Sequence, residues 1–97
     1  MDLYAIDRRN GFRPDEVEEA DARSRAAAAE RADRLRHIRS YLLEEKDGRL
    51  GTICLYEADS PEALAEHARA ARLPCNEIVR VGATIVSNPD PEPSVQA

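Results

Sequence analysis

Aromatic residues are scarce in this chain of 97: three Tyr, one Phe and no Trp, 4% of the whole. That shortage excludes a core built from large aromatic side chains. No apolar run approaches the ~20 residues of a membrane helix, and the N-terminal MDLYAIDRR lacks the basic region and apolar segment of a secretory signal. A cytoplasmic protein with no membrane partner is expected. Positive charge is neither abundant nor gathered, with 14 Lys and Arg scattered among 19 acids for a net charge of −5. Nucleic acid, which needs a concentrated positive surface, is excluded as a partner. The two cysteines, Cys54 and Cys75, lack CxxC spacing, so no zinc or thioredoxin-like motif is present. In a reducing compartment both are free thiols, each readable as a small buried apolar side chain. The histidines are His37 and His67, with no His-x3-His pair.

What the chain does have is a hydrophobic fraction of 42%, much of it alanine, which favours close packing of helices on a sheet. Its length suits one domain with a modest core, and a second copy is a natural way to bury more surface. Residues 2–9 alternate as a strand that Asn10-Gly11 breaks. From Pro14 to about Asp33 the pattern is helical, with acids in the first turns and a narrow stripe of Val17, Ala20, Ser24, Ala27, Ala28 and Leu35. Strands are expected at 36–45 and 50–58, joined by a turn whose Asp47-Gly48 pair is a strong hairpin signal. Ser60, Pro61 and Glu62 open a second helix that buries Leu64, Ala68 and Ala71 and stops at Leu73-Pro74. Residues 75–86 form the last strand, bent near Gly82. Residues 1–87 therefore read as one α+β domain of ferredoxin-like βαββαβ order: a four-stranded antiparallel sheet with two helices on one face. Residues 88–97, rich in proline, read as a loose tail.

With Asp47 and Gly48 as the two central turn residues, Lys46 pairs with Arg49. That register places Leu42, Ile53, Ser40, Leu55, Ile38 and Glu57 on the helix side, Glu57 being a misfit that must reach solvent or a basic partner. Tyr41, Cys54, Arg39, Tyr56 and His37 fall on the open side, joined by Tyr4 and Arg8 from the first strand. An open face carrying all three tyrosines fits an interface or a ligand pocket, as where two such sheets meet in a dimeric α+β barrel. The dimer interface alone is one reading of that face, and a ligand or metal site within it is another. A one-residue slip would exchange the two faces.

The segments SYL, CLYEADSPEALAEHARAARLPCNEI and IVSNP resemble a family of small bacterial nickel-binding or nickel-responsive proteins. The resemblance covers roughly residues 36–89 and rests on Ser40, Tyr41, Cys54, Tyr56, Ala58, Glu66, His67, Ala68 and Pro74. Arg72 stands where that family has a helix-ending glycine, and Cys75 where it has a small residue. The resemblance implies a ferredoxin-like homodimer that binds Ni(II).

His67, His37 and Cys54 are the metal candidates, because imidazole and thiolate both suit Ni(II). In the register above His37 and Cys54 lie four residues apart along one face, about 13 Å at ~3.3 Å per residue, too far to share one ion. A site then needs His67 with Glu66 or Glu62, or residues from a second subunit, while His67 at a helix edge is also readable as a packing residue. The competing expectation is an enzyme without an organic cofactor, an isomerase, cyclase or monooxygenase. There His37 moves a proton, Tyr56 or Tyr41 holds a carbonyl or phenol, and Arg39 or Arg8 holds an anionic group of a small-molecule ligand.

Overall fold

The computed structural model describes residues 1–92. Four strands, β1 (Asp2–Phe12), β2 (Leu35–Glu44), β3 (Leu50–Ala58) and β4 (Glu77–Arg80), form one antiparallel sheet in the order β2-β3-β1-β4. Helices α1 (Val17–Ala29) and α2 (Pro61–Ala71) connect them. This is the expected ferredoxin-like βαββαβ arrangement.

Each connection has a local cause. Ser60 caps α2, accepting from the Ala63 amide at 3.2 Å, and Pro61 occupies its first turn. The helix ends at Arg72 in the left-handed conformation, φ 56° and ψ 47°, at the position where the family resemblance calls for glycine. Pro14 opens a short 3-10 turn ahead of α1, and the helix stops at Ala29, so Leu35 belongs to β2 and not to the helical stripe. Strand β1 continues past Asn10-Gly11 to Phe12 through an irregularity, with Asn10 at φ 52°. Strand β4 ends at Arg80, shorter than expected.

The hairpin between β2 and β3 corrects the expected register. Its loop has three residues, Lys46 to Gly48, closed by the Glu45 amide donating to the Arg49 carbonyl at 3.0 Å. Asp47 and Gly48 take φ values of 60° and 74° within it. Ser40 therefore faces Cys54, and Tyr41 faces Ile53. A bulge follows between His37 and Arg39, so that His37 faces Tyr56 with Ile38 as the extra residue. The one-residue shift exchanges the faces of the two strands relative to each other.

As a result Tyr4, Ile6, Arg8, Thr52, Cys54, Tyr56 and Ala58 are buried on the helix side. Their core partners include Leu35 from β2 and Ala63 and Leu64 from α2. The opposite face holds Ile53, Val79 and Tyr41, which are exposed, with Leu55 and Ala5 half-buried. Placing Cys54, Tyr56, Tyr4, Arg8 and His37 on the open face was thus incorrect. Glu57 pairs with Arg36 at 2.7 Å, as a charged misfit must.

Of the expected tail, residues 93–97 lie outside the described residues. Asp90 accepts from the Arg39 guanidinium and the Tyr41 hydroxyl, each at 2.7 Å. The Tyr41 and Arg39 hydrogen bonds hold its carboxyl below the usual carboxylate range.

Candidate functional site

A cavity of about 570 Å³ lies between α1 and the β2–β3 half of the sheet. From the helix it is lined by Val17, Ala20, Asp21 and Ser24, and from the sheet by Arg8, His37, Ser40, Thr52, Cys54 and Tyr56. Phe12, Leu42 and Leu73 supply apolar wall. The small residues of α1 keep the helix close at one end, and the exposed Ser40 and Leu42 leave the cavity open along β2.

The β2 bulge makes the chemistry of this cavity. Without Ile38 as an extra residue, His37 and Ser40 would point to opposite faces. With it, His37 Nε2 lies 2.8 Å from Ser40 Oγ, and Ser40 Oγ donates to Cys54 Sγ at 3.0 Å. Because the single hydroxyl proton goes to sulfur, the imidazole N–H donates to Ser40 Oγ. Thr52 Oγ1 lies 3.5 Å from the same sulfur. Burial alone pushes the Cys54 thiol up, but the His37 hydrogen bond, the Arg8 charge and the hydroxyls of Ser40 and Thr52 outweigh it and bring the thiol down to about 7. A substantial thiolate fraction exists at neutral pH. The His37 ring is further held by stacking on Tyr56, centroids 4.7 Å apart.

His67 sits deeper. Fully buried on α2, it places Nε2 3.2 Å from the Tyr56 hydroxyl and 3.3 Å from Ser24 Oγ. Burial, reinforced by the positive charges of Arg8 and Arg31, lowers its imidazole to about 4, so it is neutral. Burial raises the Tyr56 phenol, which keeps its proton. The triangle of Ser24, Tyr56 and His67 ties α1 and α2 to the sheet. His67 Nδ1 has no partner among the described residues.

The structure therefore brings His37, Cys54, Tyr56 and Arg8 to one cavity, with Tyr4 in the adjoining core and His67 behind Tyr56. It separates them from Arg39 and Tyr41, which lie across the sheet against Asp90. The expected 13 Å gap between His37 and Cys54 is replaced by a connection through a single hydroxyl. Ser24 and Thr52 were missed as site residues. Ser24 was visible only as a small member of the α1 stripe, and Thr52 only as a strand residue.

Among the described residues, no three His, Cys, Asp or Glu side chains converge as a metal cluster. None of the described helices is long and apolar enough to cross a membrane.

Residues 1–81 match the family model described as nickel responsive protein SCO4226-like. The chain belongs to that family. The crystal structure of SCO4226 from Streptomyces coelicolor A3(2) is similar to it, with a TM-score of 0.66 and 20% identity, over 86% of this chain and 99% of that one. That likeness establishes the fold. No curated protein matches the chain.

Proposed function

We propose that this member of the nickel-responsive family is a small cytoplasmic protein that binds Ni(II) or another divalent transition metal through Cys54 and His37. The observation that carries the reading is the His37–Ser40–Cys54 chain, in which an imidazole and a thiol lowered to about 7 share one cavity. Thiolate and imidazole are a suitable donor pair for nickel. Two protein donors leave coordination positions to be filled from outside the chain, as suits reversible binding by a responsive protein. The nearby Arg8 charge works against tight retention of a bare cation.

The apolar open face supports a homodimer. Ile53, Val79 and Tyr41 are 36%, 47% and 41% exposed on a face that none of the described helices covers, and a second copy of the same face would remove them from water. Two free thiols, Cys54 and Cys75, suit a reducing compartment. A second reading, an enzyme using the Cys54 thiolate as nucleophile, draws on the same lowered thiol.

Thermal unfolding of protein stripped on a chelating resin, with and without stoichiometric Ni(II), Zn(II) and Co(II), separates the two. Metal binding to the folded state raises the melting temperature, and the rise should disappear in His37→Ala. Absence of a shift with every metal would remove the metal reading and leave the enzyme.

A further inference from the structure

Arg8 is charged, buried and alone. Its side chain is 1% exposed, and Nε, Nη1 and Nη2 have no hydrogen-bond partner among the described residues. Arginine keeps its proton in proteins, and a buried charge is strongly disfavoured unless paired.

The Cys54 thiolate shares its charge environment, but no neighbouring group among the described residues hydrogen-bonds the guanidinium. Asp21, which lines the same cavity, is bonded to Arg25 at 2.8 Å. The hydrogen bonds of the Cys54 sulfur run to Ser40 and Thr52. Arg8 instead lines, as a residue, a cavity of about 570 Å³, within the range of small-molecule sites. An inorganic oxyanion would leave most of that space empty. The remaining wall includes the apolar side chains of Phe12, Val17, Leu42 and Leu73.

We propose that this cavity binds a small organic carboxylate, its charged end on Arg8 and its apolar body between α1 and the end of β2. The planar guanidinium fork matches a carboxylate in two parallel hydrogen bonds. Thr52 lines the same space and offers a neutral hydroxyl beside Arg8. This site does not require nickel, so it stands or falls separately from the metal reading.

The test is calorimetric titration of the full-length, metal-stripped protein at fixed ionic strength with benzoate and hexanoate, against benzamide and inorganic phosphate. Saturable binding of a carboxylate, with benzamide silent, is expected. Arg8→Met should weaken it by roughly tenfold or more, the loss of a charge-assisted contact, while Arg8→Lys retains part of it. Circular dichroism checks that the variants fold, and the Arg8 Nε–H resonance of the wild type should shift on adding benzoate even if they do not. Failure of both carboxylates to saturate the wild type, equal binding by folded Arg8→Met, or an unmoved Nε–H resonance would overturn the proposal. Tighter binding of phosphate than of either carboxylate would overturn the organic class.

Discussion

The two faces of the sheet reverse the usual distribution of polarity. Beneath the helices lie a guanidinium, a thiol, two imidazoles, two phenols and several hydroxyls. On the side without helices lie Ile53, Leu55, Val79 and Ala5, with Tyr41 and Arg39 clipped to Asp90. Burial of so many polar groups is costly unless they are paired or used, whereas an exposed apolar sheet face is stabilised by a partner. On the function proposed above, the covered side serves chemistry and the bare side association.

The contrast breaks first at the seam where α2 meets the covered side. Leu64 is fully buried there, and Leu64→Ala should cost about 3 kcal/mol in urea unfolding, the usual scale for a core leucine. Near-native stability would show that α2 is not packed as described.

An effect no larger comes from titrating the covered side. The folded Cys54 thiol is lowered from 9.0 to about 7, so its stabilisation is fully present above pH 9 and declines as pH falls to 7. The loss is about 3 kcal/mol at most for a shift of this size. The folded imidazole of His67 is lowered from 6.5 to about 4, so stability falls again as pH drops through that window. Urea midpoints across pH 4 to 10 should trace both declines, with the upper one missing in Cys54→Ala. An upper decline that survives Cys54→Ala would assign it to another group.

The bare side is tested by Ile53→Asp, which should weaken self-association by about 2 kcal/mol, the scale of an interface hot spot. Sedimentation is expected to show a dimer for the parent and a monomer for the variant, with iodoacetamide labelling of Cys54 unchanged. A variant with the parent's assembly state would remove this face as the interface.

Much of this contrast was legible in the sequence, but with β1, β3 and His37 on the wrong side, while Arg39 and Tyr41 lie on the open face and Ser40 and Leu42 on the helix side as expected. Element order, the Ser60-Pro61 start of α2, and the candidacy of Cys54, His37, Tyr56 and Arg8 follow from local patterns. Their side of the sheet does not, because it depends on one residue of loop length. Asp47-Gly48 signals a two-residue turn, whereas Lys46 joins them in a three-residue loop. The bulge at Ile38 is equally silent, since no glycine or proline marks it, yet it brings His37 to Ser40. Arg8 was assigned to the open face because the alternation of β1 was matched to those hairpin faces.

The smallest effect expected is at Arg72, whose left-handed backbone suits glycine. Arg72→Gly should stabilise the fold by about 1 kcal/mol, on neither face and without changing association or thiol reactivity. A destabilised variant would mean that the arginine side chain contributes more than its backbone strain costs.

The central claim, that the covered side holds a metal through Cys54, is tested most directly by Ni(II) titration of stripped protein, monitoring the sulfur-to-nickel charge-transfer absorption. A saturable band that persists in Cys75→Ala and is absent in Cys54→Ala is expected. A band lost with Cys75 and kept without Cys54, or no band in the parent protein, would contradict it.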